Sequence, residues 1–311
     1  MICVTICTRE RPKMLKRLLD SCALIEQDDR SAVRFIVIEN GEAAGATAVV
    51  DDFRGKFAIS YVNEPNPGLV FARNAAIEAF LATDAEWMAS FDDDLIVDTK
   101  WLSAMLDAAE RFPDCHAFAG PNQRIADNKA SRWLPQGTQQ DLNTGQPTWN
   151  VTTANALIHR FIFDPDKLGA RFHSKFNFSG GEDTQFFFNL KDKGEKVLWV
   201  REAKCVEPTI LERGSVNIRC RRVIARAQNW GEINLMRFGR IRGVLWLFWS
   251  IFASALNTLT YTFSGLIVLV FSENRGVAAL SQALLNACHV VGYFKTLLRR
   301  SGNYYAEVEG Y

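Results

Sequence analysis

Ala85-Glu86-Trp87-Met88-Ala89-Ser90-Phe91-Asp92-Asp93-Asp94-Leu95-Ile96-Val97 is the stretch that decides the fold. Its apolar first part, Ala85–Phe91, has the length of a buried strand and ends on three adjacent carboxylates. Adjacent carboxylates repel one another, and burying them even in part is costly unless a cation or hydrogen-bond donors compensate. In α/β sheets, ligands bind beyond the ends of such strands. The triplet therefore points to a divalent cation holding a phosphorylated ligand, with oxygen ligands suited to magnesium or manganese. The plain alternative is a solvated acidic turn.

Working outward, strand and helix patterns alternate on both sides of this stretch. Ile2–Cys7 reads as a strand, and Lys13–Cys22 as a helix with Met14, Leu15, Leu18 and Leu19 at helical spacing. Phe35–Ile38 is a short apolar run ending in Glu39-Asn40-Gly41. Gly45–Phe53 predicts a helix, Phe57–Val62 a strand, Leu69–Leu81 a helix and Lys100–Phe112 another. Short Val- and Ile-rich runs between helices predict a largely parallel sheet covered on both faces. Gly120–Phe178 is irregular and rich in Asn, Gln, Thr and Gly, the kind of segment that shapes the substrate side of a site. Thr184–Lys193 then reads as a helix and Val197–Val200 as a strand.

The bulk composition narrows the class. The chain has 311 residues, 48% hydrophobic and 23% charged, which is a globular composition. A net charge of +1 argues against a nucleic-acid binder driven by bulk charge. Seven scattered cysteines with no CxxC pair indicate neither a zinc ribbon nor a disulfide framework, so reduced thiols in a cytoplasmic setting are expected. With a strand starting at the first residues and no signal peptide, the catalytic part is expected on the cytoplasmic side.

After Pro208 the character changes. Arg213–Arg242 holds eight arginines against one acidic residue, Glu232. Val244–Phe271 is a run of 28 residues without charge, Ser272–Arg275 breaks it, and Gly276–Phe294 is a second uncharged stretch followed by Lys295, Arg299 and Arg300. As a helix the first run would be about 42 Å long, more than the roughly 30 Å of a bilayer core. Three arrangements remain open: a membrane hairpin with both basic ends on the cytoplasmic side, a pair of interfacial helices, or a buried pair in a soluble dimer. The division expected is a catalytic domain over 1–235 and a membrane-associated helical tail over 236–311.

Four patterns occur in a telling order: the turn Thr8-Arg9-Glu10-Arg11-Pro12 after the first strand, with Glu39-Asn40-Gly41 after the second; Asn66-Pro67-Gly68 with Ala72-Arg73-Asn74; Asp92-Asp93-Asp94; and Gly181-Glu182-Asp183. Together, over roughly residues 1–235, they resemble the inverting family 2 glycosyltransferases of GT-A fold, a Rossmann-like sheet with helices on both faces. The Glu207-Pro208 pair, the Arg-rich segment and the two hydrophobic helices resemble in particular the bacterial exopolysaccharide glycosyltransferases of succinoglycan type.

The resemblance implies roles. Thr8, Arg9 and Glu39 would contact the nucleotide, although the family more often has Asp at the last position. Arg73 would brace the aspartates or approach the nucleotide, a structural ion pair to the triplet being the alternative. Asp92 would face the ribose or sugar and Asp94 the metal; Asp93, grouped with the nucleotide-sugar site, is the member expected to face solvent. Asp183 would be the catalytic base beside Glu182, against the alternative that both merely cap a helix near its positive end. Glu207 stands where many relatives carry a His metal ligand, and acceptor binding or a structural role are equally open to it. Arg219, Arg222 and Trp230 would meet acceptor or diphosphate, or, for the arginines, lipid headgroups. Arg221-Arg222 and Gln228-Asn229-Trp230 do not match the Gln-x-x-Arg-Trp of processive members, which implies transfer of a single sugar.

The implied reaction takes a nucleotide-sugar, a UDP-hexose, with Mn or Mg, and a lipid-linked (polyprenyl diphosphate) saccharide as acceptor, at the cell inner membrane. Homo-oligomer formation stays open. The alternatives are a nucleotidyltransferase of related fold, which normally has a Gly-rich loop where Thr8–Pro12 has no glycine, and a silent membrane adaptor, which would leave the costly carboxylates without a ligand.

Overall fold

In the computed structural model, residues 1–42, 45–125, 141–149, 151–208 and 216–298 are described. The nucleus of the fold is β1 (Ile2–Thr8), whose residues from Ile2 to Ile6 are buried, as a strand covered on both faces requires. It pairs in parallel with β2 (Val33–Asn40) on one side and β4 (Trp87–Asp92) on the other, and β3 (Ala58–Glu64) extends β2 in parallel. The registers Thr8↔Glu39 and Cys7↔Asp92 bring the functional ends of three strands into one row.

The connecting helices are α1 (Pro12–Cys22), α2 (Ala46–Phe53), α3 (Leu69–Leu81) and α4 (Trp101–Arg111). Pro12 opens α1 at a position where no backbone N–H is missed, and Met14, Leu15, Leu18 and Leu19 form its buried side. One core layer gathers Leu15, Phe53, Phe91 and Trp101; the opposite layer gathers Ile77, Phe80, Phe163 and Phe186.

The second half departs from the simple alternation. The chain runs through β5 (Ile96–Val97), β6 (Ala117–Ala119), β7 (Asn122–Ile125), β8 (Asn155–His159), the short α5 (Arg160–Phe163), α6 (Glu182–Asp192), β9 (Leu198–Trp199) and β10 (Cys205–Pro208). The main sheet has seven strands in the order β3-β2-β1-β4-β8-β6-β9, and β8 is antiparallel to both its neighbours. A second sheet, β5-β10-β7, sets Val206 opposite Ile96, two residues beyond Asp94. It thereby carries Glu207 beside the aspartate triplet. Residues 126–140 and 150 of the polar segment 120–178 lie outside the described residues, as do Arg213, Arg299 and Arg300.

The helical span α7 (Val216–Phe271) begins within the Arg-rich segment and is kinked at Gly239, whose φ of 74° and ψ of 173° are non-helical, so it consists of two helical segments. Arginine is a good helix former, and nothing between Val216 and Phe238 stops the helix. Extended Ser272 then reverses the chain into α8 (Glu273–Leu297). The hairpin closes on Trp246 and Tyr293, with ring centroids 5.6 Å apart, around Ala227 and Leu247. Its outer side exposes Leu245, Phe248, Trp249, Phe252, Leu259, Phe263, Val270 and Phe271. Both helices are long and apolar enough to cross a membrane, with only 6% and 33% of their most apolar windows buried.

Candidate active site

The residues singled out at the first strand's end meet as a set. Thr8 Oγ donates to Asp93 Oδ2 at 2.7 Å, and Arg11 pairs with Asp93 Oδ1 at 3.4 Å. Asp93 is only 5% exposed, so the solvent-facing position expected for it is corrected: the β1 turn pulls its carboxylate inward. Burial raises Asp93 to about 6 against the lowering pull of Arg11 and Thr8. Arg17 donates to the Asp94 carbonyl at 3.0 Å, so α1 also fixes the backbone of the triplet.

Glu39 is buried on β2. Its two carboxylate oxygens accept from the Ala46 backbone N–H at 3.2 Å and the Tyr61 hydroxyl at 2.8 Å. Its nearest role is thus to tie β2, α2 and β3 together behind the site. Arg9 Nε is buried with no hydrogen-bond partner among the described residues and lies 3.7 Å from Glu10 Oε1, at the ends of β1 and β2.

The centre of the site is Arg73 on α3. The loop before it is held by Asn40, which donates to the Asn66 carbonyl at 2.8 Å and accepts from Gly68 N–H at 2.7 Å. On the other side Asn177 accepts from Val70 N–H and donates to the Pro67 carbonyl, both at 3.1 Å. Gly68 sits at φ +131°, and a Cβ there would fall 2.0 Å from the Asn177 amide, so glycine is required. With its helix start locked in this way, Arg73 pairs with Glu182 at 2.5 Å, with Asp183, and with Asp92 at 3.5 Å.

Charge explains the arrangement. Burial alone would lower Arg73, but Asp183, Glu182 and Asp92 outweigh it and raise its pKa, so it is a permanent cation. Burial raises Asp183 to about 6, opposed by Arg73, reinforced by Glu182 and eased by Thr153. Asp92 keeps 42% of its side-chain exposure yet lies amid enough protein and negative charge to be raised to about 6; burial leads, Arg73 opposes, and Asp183, Asp93 and Glu207 add. One guanidinium thus faces more carboxylate than it can neutralise. Glu182 adds a buried oxygen, Oε2, without a partner among the described residues.

That surplus suits a cation. No ready-made cage of three or more His, Cys, Asp or Glu occurs among the described residues. A metal held by one or two carboxylates and completed by phosphate oxygens needs none. Carboxylate oxygens are hard donors of the kind that magnesium and manganese prefer.

The described Arg-rich residues belong to α7. Arg219 and Arg222 are half-buried on α7, and Arg219 is lowered by burial and by the neighbouring Arg226 cation. Trp230 lies edge-on to Phe188 at 5.0 Å and to Trp246 at 6.5 Å, packing α7 onto α6 and the hairpin. Sequence reasoning passed over Thr153, Arg11, Asn177 and Asn229. Arg11 stood in the quoted turn and Asn229 in the quoted Gln228-Asn229-Trp230, without a role; Thr153 and Asn177 are single polar residues whose partners lie far away in the chain.

Comparison with known proteins shows the family and the fold. The family model of Glycosyl transferase family 2 matches residues 3–165. The chain belongs to that family, and it is a glycosyltransferase of GT-A fold. It is 30% identical over 238 residues to the succinoglycan biosynthesis protein ExoM of Rhizobium meliloti, covering 74% of each chain. Among solved structures it is similar to the mannosyltransferase PcManGT from Pyrobaculum calidifontis in complex with GDP-Man and Mn2+, with a TM-score of 0.60 and 14% identity over 96% of this chain and 87% of that one. It is also similar to S. aureus TarS 1-349 in complex with UDP-GlcNAc, with a TM-score of 0.57 and 11% identity over 94% and 91%. The family match ends before Glu182 and Asp183, so their assignment rests on their geometry around Arg73.

Proposed function

We propose that this glycosyltransferase is inverting and metal-dependent. It would move one sugar from a nucleotide-sugar, a UDP-hexose, to a saccharide carried on a polyprenyl diphosphate lipid, in exopolysaccharide synthesis on the cytoplasmic side of the inner membrane. The observation that carries this reading is the Arg73 bridge. It sets Asp183, a carboxylate with a pKa of about 6, across from Asp92 at the end of β4.

In this mechanism the donor's diphosphate lies against the triplet, with Asp94 and Glu207 as metal ligands. A bound divalent cation supplies Lewis-acid stabilisation of charge on the leaving diphosphate. Asp92 accepts from a ribose or sugar hydroxyl, and Arg9 Nε donates to the nucleotide beside Thr8 and Glu39. At neutral pH Asp183 is mostly ionised. It takes the proton of the acceptor hydroxyl as that oxygen attacks the anomeric carbon from the face opposite the leaving group. The bond to the diphosphate breaks, and an α-linked donor gives a β-linked product. The unpartnered Glu182 Oε2 accepts a second hydroxyl of the acceptor.

The exposed apolar side of the hairpin supports membrane attachment, with Arg240 and Arg242 exposed at its base. Arg219 and Arg222, on the helix leading into it, would meet the lipid-borne diphosphate of the acceptor. The test is calorimetry of the full chain with manganese and UDP-glucose, UDP-GlcNAc and GDP-mannose. Binding of one nucleotide-sugar that EDTA abolishes is expected; failure of all three, or indifference to EDTA, would remove the metal-dependent donor site.

A further inference from the structure

We infer that Thr153 is a positioning residue for the catalytic carboxylate: its hydroxyl fixes Asp183 Oδ1 and so sets the direction in which the group meets the acceptor hydroxyl. Thr153 Oγ1 donates to Asp183 Oδ1 at 2.7 Å, and Arg73 Nη1 donates to the same oxygen. Two side-chain donors on one carboxylate oxygen, with the Thr153 backbone N–H also bonding the group, stop it from rotating about its last bond. Thr153 is 1% exposed and lies in the turn two residues before β8, so its hydroxyl is buried and not on a surface loop. A buried hydroxyl with that single use is not explained by packing, for which valine would serve equally well.

The charged and titratable groups facing Asp183 come from several elements. They are Cys7 on β1, Arg73 on α3, Asp92 on β4 and Glu182 on α6. Arg73 is shared among three carboxylates, so it cannot alone orient this one. Thr153 is the neutral donor dedicated to Asp183, and it counters part of the rise that burial imposes.

This inference rests on Asp183 being the base, and the experiment separates the two. Transfer is followed as nucleoside-diphosphate release, with manganese, whichever of UDP-glucose, UDP-GlcNAc and GDP-mannose binds, and a lipid extract of the source cells. Thr153→Val is expected to lower kcat about tenfold and to move the acid limb of the kcat profile up by about one pH unit, as loss of a hydrogen bond to a charged group implies. Donor KM should not change, and Thr153→Ser should restore both the rate and the limb. Thr153→Ala replaces the valine variant if that one fails to fold. A valine or alanine variant with the wild-type limb and rate would overturn the role of Thr153 while leaving Asp183 as base if Asp183→Asn is inactive. Full activity of Asp183→Asn would overturn both.

Discussion

Asn229 on α7 donates its side-chain amide to the Ser179 carbonyl at 2.8 Å, in the loop that leads into Glu182 and Asp183. A Cβ on Gly181 would come within 2.8 Å of Asn229 Cβ, so loop and helix are in close contact. Farther along α6, Trp230 packs on Phe188, and Arg237 grips Asp192 through two hydrogen bonds of 2.7 and 2.6 Å. The helix that feeds the apolar hairpin is therefore also the backing of the helix that carries Glu182 and Asp183. Asn229→Ala leaves a carbonyl unpaired and the loop free to shift. We expect kcat to fall about ten- to a hundredfold with unchanged donor affinity, read by steady-state kinetics and calorimetry. A wild-type kcat would show that the loop holds its place without α7.

Asp183→Asn should reduce transfer by at least about a hundredfold, the usual worth of a general base, while nucleotide binding persists. Unchanged turnover would remove the base assignment.

The same residue sets a pH dependence. Activity should follow its ionised form, so kcat should fall as pH drops through about 6. For stability the sign is opposite. A carboxyl raised from 3.8 to about 6 binds more protons folded than unfolded between those values, so its contribution falls as pH rises through that window. At pH 7 the ligand-free Asp183→Asn variant should therefore be more stable than wild type, by roughly 1–3 kcal/mol. Denaturant titrations at pH 4.5 and 7 measure this; a destabilised variant at pH 7 would mean that the Arg73 pairing outweighs burial.

Asp94→Ala should weaken manganese-dependent nucleotide binding by about tenfold or more, the range for losing a metal ligand or its support. Calorimetry with and without EDTA checks it; affinity indifferent to both changes would place the metal elsewhere.

Removing residues 240–311, beyond the Gly239 turn, should release the protein from phospholipid vesicles in a flotation assay. Continued co-flotation would mean that the anchor lies in the Arg-rich part of α7.

Much of the fold was legible because its signals are local. The Leu69–Leu81 helix was read with the bounds that the structure shows, and the strand ending at the triplet was read within two residues. Apolar runs and a proline-led helix start suffice for that. The antiparallel β8 was not legible, since a five-residue apolar run reads alike in either direction. The helical path through the Arg-rich segment was missed because charge hides helical periodicity.

The sequence by itself determined the class of chemistry. A strand that ends on carboxylates, an Arg-bearing helix and a Glu-Asp pair carry their own electrostatic cost, and that cost implies a phosphorylated ligand with a cation. Only the tertiary structure decided how those charges are divided. It turned Asp93 inward to Thr8 and Arg11, set Glu39 between α2 and β3, and gave Arg73 to three carboxylates at once. It also brought Thr153 to Asp183 across 30 residues and Asn229 to Ser179 across 50. The physical reason is that a hydrogen bond between distant residues depends on where the sheet places their backbones, and no local pattern records that.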